Sequence, residues 1–166
     1  MSLTTSAFNI TASWTQSQSN SPFAASSQGN DTVAYSATPS TTTYSEVFLG
    51  SYSVLAAGTQ TLNLRSFTNL LNQSVTATKV LAIFLKATAT VTGAKMKIEP
   101  GGSDPLTWFF GGTGPYVELE VGTAGAAFAV AEGVAETVDG THKNILVTNS
   151  GTQTMTLTAY ALVGTT

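Results

Sequence analysis

Few side chains in this sequence can do acid–base or metal chemistry, and most stand alone. His142, the only histidine, lies in Asp139-Gly140-Thr141-His142-Lys143. A histidine near a carboxylate can move protons, and the serine completing a triad can come from anywhere in the chain. No strand–Gly-x-Ser-x-Gly–helix elbow accompanies it, so a solvated loop histidine is the simpler reading. Glu118 and Glu120 stand two apart in an alternating segment, which places both on one strand face about 6–7 Å apart. That spacing falls between those of retaining and inverting glycosidases. A solvated strand face, or one opposite Lys95 or Lys97, explains the pair without a reaction. Asp139-Gly140 and Gly101-Gly102-Ser103-Asp104 each offer calcium one carboxylate, without the alternating acidic pattern of a calcium loop. Zinc would need Cys and His, of which the chain has none and one. Gly111-Gly112-Thr113-Gly114 lacks the lysine and following helix of a phosphate loop and reads as a turn. No catalytic residue, cofactor or metal is expected.

The elements around these groups are short of charge throughout. Six basic and nine acidic side chains in 166 residues fall far below the quarter of residues charged in an ordinary soluble domain. Thr, Ser, Gly, Ala and Asn fill the space. The missing Lys and Glu are the residues that normally keep sheet edges apart, so the composition reads as part of an assembly. A net charge of −3 and a single arginine, Arg65, argue against nucleic acid as the main partner. No run reaches the roughly 18 apolar residues of a membrane span, and residues 1–5 lack a secretory pattern. Without cysteine there is no disulfide framework.

Period-2 alternation dominates the chain. Phe8, Ile10, Ala12 and Trp14 alternate with polar residues as a half-buried strand does. Residues 16–30 are small and polar around a Pro22-Phe23 island, which predicts a long loop or extended arm. From residue 45 the texture becomes β-branched and aromatic. Strands are expected over 46–55, 59–64, 75–90, 95–99, 116–121, 126–130, 144–148 and 154–163. Residues 66–71 read as a short helical turn capped by Ser66, with Phe67, Leu70 and Leu71 inward. Asn149-Ser150-Gly151 is a hairpin signal between the last two strands, and Met155, Leu157, Ala159 and Ala161 share one face. The pattern predicts an all-β fold, an antiparallel β-sandwich of jelly-roll type. Its body covers 45–166, preceded by a strand and an extended Ser/Thr-rich arm over 1–44.

Trp108, Phe109 and Phe110 are consecutive, so they cannot all point inward from one strand. A loop tucked under the sheets would account for them. Aromatic anchors at a subunit contact, with Tyr116, Phe8, Trp14 and Phe23 as further candidates, are the functional alternative. A sugar-stacking platform of Trp108 and Tyr116 is a third.

Thr61-Leu62-Asn63-Leu64, the run from Phe67 through Asn72-Gln73-Ser74-Val75, Lys79-Val80-Leu81-Ala82-Ile83, Asn144-Ile145-Leu146-Val147-Thr148-Asn149-Ser150-Gly151 and the closing Ala161-Leu162-Val163-Gly164-Thr165 form a further pattern. Over residues 60–165 it resembles a group of small proteins encoded among the structural genes of tailed bacteriophages. The resemblance implies a virion component, such as a capsid cement or decoration protein, and brings no catalytic residues. The expected function is therefore non-enzymatic: stabilising the shell from the capsid exterior, with the major capsid protein as partner. A homotrimer is expected because capsid lattices offer three-fold positions. A head-fibre, tail or carbohydrate-binding module on the host-facing surface is the alternative, and a hydrolase using His142 or Glu118 a third class.

Overall fold

The computed structural model describes the backbone of residues 6–18, 25–37, 46–69, 72–107 and 115–165, and the side chains from residue 46 onward outside 131–135. Every regular element among them is a β-strand, and every strand ladder is antiparallel. β1 (Ser6–Gln18) and β2 (Ala25–Ala37) pair along their whole lengths as a separate two-stranded unit. The loop expected over 16–30 is thus mostly ladder: Thr15 lies opposite Gln28 and Gln18 opposite Ala25. Ser, Thr and Gln satisfy a strand's backbone as well as a loop's, so low hydrophobicity alone does not mark irregular chain.

The remaining strands are β3 (Glu46–Val54), β4 (Thr59–Asn63), β5 (Ser66–Thr68), β6 (Ser74–Thr76), β7 (Lys79–Thr88), β8 (Ala94–Pro100), β9 (Val117–Val121), β10 (Ala126–Thr137), β11 (Asn144–Asn149) and β12 (Met155–Gly164). One four-stranded sheet runs β10-β7-β12-β3 and another β4-β11-β8-β9, while β5 and β6 form a small ladder of their own. Between the two four-stranded sheets, successive strands change sheet at β3–β4, β7–β8, β9–β10, β10–β11 and β11–β12. The hairpin expected at Asn149-Ser150-Gly151 is therefore not one: β11 pairs with β4 and β8, and β12 with β3 and β7. The turn chemistry is present, but the chain uses it to cross between sheets.

Both sheets bury alternate residues in one common core. Ala94, Met96 and Ile98 of β8 and Ile145 and Val147 of β11 meet Met155, Leu157, Ala159 and Ala161 of β12 in a single apolar cluster. Burying a side chain such as Leu157 contributes about 1.5–3 kcal/mol. β7 is buried over Val80, Leu81, Ala82 and Ile83 without a break. The ladder slips there, with Val80 opposite Val163 and Ala82 opposite Leu162, so Leu81 is the extra residue of a bulge.

Residues 66–68 form a strand where a helical turn was expected. Phe67 lies opposite Val75, and its ring meets Phe48 edge-on at 5.2 Å. The turn beyond it closes through Asn69, whose Oδ1 accepts the Gln73 N–H at 2.9 Å, with Asn72 at φ 60°. Asparagine turn chemistry and a half-buried Phe packed on the core override the cap offered by Ser66. Leu70 and Leu71 lie outside the described residues.

Gly50 shows how tightly β3 is packed. The Tyr52 ring lies over it, and a Cβ at Gly50 would come within 2.6 Å of Tyr52 Cζ. A glycine under an aromatic ring leaves the strand its packing without a side chain of its own. Gly50→Ala is expected to push the ring aside at about 1–3 kcal/mol, against a strand gain of about 0.5–1 kcal/mol. The net loss of roughly 1 kcal/mol should appear in urea unfolding, with a changed near-UV signal from the displaced tyrosine.

Candidate interaction surface

The groups that could do chemistry are engaged in local structure. Asp139 Oδ1 accepts hydrogen bonds from the Thr141 N–H at 2.7 Å, the Thr141 hydroxyl at 2.9 Å and the His142 N–H at 2.8 Å, and His142 Nδ1 lies 3.2 Å away. The Thr141 backbone and hydroxyl bonds, with the smaller contribution of His142, hold the Asp139 carboxyl well below the usual carboxylate range. Its depressed pKa means that the loop is fully tightened above the ordinary carboxylate pKa of about 3.9. That tightening is lost as pH falls through the lower, folded value. Exchange protection of the Thr141 and His142 amides should therefore hold in full from neutral pH to about pH 4 and decline progressively below it. Asp139→Ala should remove the protection at every pH.

The two acidic loops considered for calcium do meet, and a lysine occupies the place between them. Lys143 Nζ donates to the Gly140 carbonyl at 2.7 Å and lies 2.8 Å from Asp104 Oδ2. The backbone N–H groups of Lys143 and Asn144 both reach the Asp104 carbonyl at 3.0 Å. The ammonium supplies the positive charge these oxygens would otherwise seek. Among the described residues no three metal-ligating side chains converge.

Glu118 and Glu120 share a face, as their spacing requires, and that face is salt-bridged. Lys95 Nζ lies 3.0 Å from Glu120 Oε1 and 3.8 Å from Glu118 Oε1, while Ser150 Oγ donates to Glu118 Oε2 at 2.7 Å. Lys97 pairs with Glu99 and stands 4.7 Å over the Tyr116 ring. Hydrogen bonding to Glu120 pushes the Lys95 ammonium pKa up, and bonding to Glu99 does the same for Lys97. Where a glycosidase needs room for water or sugar between two carboxylates, this face has a cation.

The β8–β9 ion pairs thus gather five charged side chains at one side of the body. The outer edge strands there are β9, carrying Glu118 and Glu120, and β10, whose ladder is irregular between Ala131 and Glu136. Charges and bulges are the usual devices that stop an edge from pairing with another chain. On the other side β3 and β4 are the edges, joined through residues 55–58 and in contact with each other. Their only formal charge is Glu46, and its Oε2 already accepts from Asn69 Nδ2 at 2.9 Å. Among the described residues neither strand has a second ladder partner. Across the outer face beside β3, Leu49 lies opposite Tyr160, and Tyr160 opposite Phe84. Leu49 is 37% and Tyr160 38% exposed.

Of the aromatic anchors expected from sequence, Tyr116 is exposed at 58%, at the start of β9. Phe8 and Trp14 stand on β1 opposite Tyr35 and Gly29. Trp108, Phe109, Phe110 and Phe23 lie outside the described residues. Sequence reasoning passed over the charge-poor β3 and β4 edges. Their signal was the near absence of Lys and Glu from these two strands, Glu46 alone excepted.

It also missed Asn149, which is 0% exposed. Its Nδ2 donates to the carbonyls of Val54 at 3.1 Å and Gln153 at 2.7 Å. Its Oδ1 accepts from the N–H groups of Gly151 at 3.1 Å and Lys95 at 3.3 Å. Its own N–H reaches the Gly58 carbonyl at 2.9 Å. One side chain therefore fastens the end of β3, the start of β8 and the β11–β12 crossing, and so helps to hold the β3 edge in place. Set against protein-family models, curated proteins and solved structures, the chain matches none of them.

Proposed function

We propose that the chain is a structural protein of a tailed-bacteriophage virion that binds the outside of the major capsid shell as a cement protein. The observation that carries this reading is the division of charge. One side of the body is salt-bridged and guarded, and the other presents two strand edges whose only formal charge is Glu46. Such a division suits a protein held by neighbours on one side and facing water on the other. The strand orders β3-β12-β7-β10 and β4-β11-β8-β9 support a further reading as a jelly-roll β-sandwich. That architecture recurs in viral capsid and lectin domains.

A cement protein works by summing modest contacts over many subunits, which asks for a stiff body more than for a deep pocket. The lectin-like alternative would need open aromatic rings, and Lys97 occupies one face of Tyr116. Electron microscopy of the particle that carries this chain tests the proposal. Density for the body on the outer shell, and particles that rupture at lower temperature when the gene is deleted, are expected. Density at a tail tip or fibre, or deletion particles of unchanged stability, would overturn it.

A further inference from the structure

We propose that β3 is a self-association edge, pairing antiparallel with β3 of a second copy about a two-fold axis near Gly50. The inference rests on reading the chain as an assembled two-sheet protein, and it is an alternative to the three-fold contact expected from lattice symmetry.

Edge strands differ in whether they tolerate their own image. A two-fold at Leu119 of β9 would set Glu118 directly opposite the second copy's Glu120, and like charges in that position destabilise a ladder. β10 breaks its register between Ala131 and Glu136 and cannot offer a long regular edge. β3 has neither defence. A two-fold at Gly50 sets Leu49 opposite the second copy's Ser51 and Glu46 opposite its Val54. The Glu46 carboxylates of the two copies then lie at opposite ends, eight residues or about 27 Å apart by strand rise. The pairing also carries the row of Leu49, Tyr160 and Phe84 up to the hydroxyl row of the second copy.

The dimensions are sufficient. The nine residues of β3 span about 30 Å, and two sheets stacked about 10 Å apart give the side a depth of roughly 15 Å. Two copies meeting there, with β4 beside β3 in each, bury on the order of 1,000 Å2 in total. That area reaches the threshold of a specific contact, and ladder hydrogen bonds add direction to it.

The test is a charge swap on the full-length chain, read by light scattering coupled to size exclusion. Leu49 and Ser51 are exposed and outside the core, so replacing them leaves the body intact. The unmodified chain is expected at about twice 17.1 kDa. Leu49→Lys with Ser51→Lys, and separately Leu49→Glu with Ser51→Glu, should each weaken dimerisation at least about tenfold, since each sets two like-charge pairs face to face. An equimolar mixture of the two variants should recover the dimer. Glu118→Lys with Glu120→Lys, on the guarded edge, should change nothing. A monomeric or trimeric unmodified chain, a dimer indifferent to both swaps, or a mixture that fails to recover would each overturn the proposal. None of these results bears on where the protein sits in a particle, which the microscopy decides separately.

Discussion

Asn149→Ala is expected to lower stability by about 3–5 kcal/mol, which for a chain of this size corresponds to a fall in Tm of roughly 10 °C. The substitution removes the donor to the carbonyls of Val54 and Gln153 and the acceptor for the N–H groups of Lys95 and Gly151. Each group left buried without a partner costs about 1–3 kcal/mol, and water entering the space recovers only part of it. Asn149→Asp separates the electrostatics from the size. The carboxylate keeps the two N–H donors but turns an oxygen toward two carbonyls in a site with no exposure. Burial and those carbonyls raise the folded-state pKa of the introduced group. A raised folded pKa means that the variant is least impaired below the ordinary value of about 3.9 and loses stability as pH rises above it. Urea unfolding of this variant should therefore show a larger deficit at pH 7 than at pH 4, the reverse of acid denaturation. A deficit independent of pH, or one under 1 kcal/mol for the alanine variant, would mean that the crossing is held by something other than this side chain.

How far this end of the molecule was readable depends on what each signal reports. Met155, Leu157, Ala159 and Ala161 were legible as one face because alternation reports burial, and all four are in the core. The same alternation runs Ile145, Val147, Asn149, and so pointed an asparagine inward. The turn residues that follow it drew attention instead. Turn chemistry reports only that the chain bends; which sheet receives the next strand depends on β3, β7 and β8, which are distant in sequence. The β11–β12 crossing therefore looked like a hairpin. The helical turn expected from residue 66 failed over 66–68 for a related reason. A hydroxyl before an apolar run is a helix cap in isolation, and Phe67 became a strand residue because Phe48 waits for its ring. The candidate chemistry was legible as residue types, whereas Lys95 between two glutamates and Lys143 between two loops required coordinates. The charge-poor edges were half visible: depletion of Lys and Glu was obvious as a total, but its concentration on β3 and β4 appeared only once they proved to be edges.

Gly151→Ala should be more damaging than any ordinary surface substitution, because the missing side chain leaves room for backbone. A Cβ at Gly151 would lie 2.7 Å from both Ala94 Cα and Lys95 N and would collide with the Gly93 carbonyl oxygen. Those atoms belong to the end of the β7–β8 crossing and the first residues of β8. They cannot swing away as a side chain would, since the Gly93 carbonyl accepts the Thr152 N–H at 2.8 Å and the Lys95 carbonyl accepts the Ser150 N–H at 3.1 Å. Relief requires the two crossings to separate, which breaks those bonds and loosens the Asn149 contacts with Lys95 and Gly151. A loss of about 3 kcal/mol or more is expected, at the upper end of overpacking costs. Because both substitutions open the same junction, Gly151→Ala combined with Asn149→Ala should cost clearly less than their sum, with a coupling of about 1–3 kcal/mol in a double-mutant cycle. Strict additivity would show that the asparagine and the glycine act at separate places, and the description of one shared clamp would then be wrong. The coupling should also reach the β3 edge, since Asn149 holds the Val54 carbonyl at the end of that strand. A chain carrying either substitution should therefore dimerise more weakly even where the body remains folded.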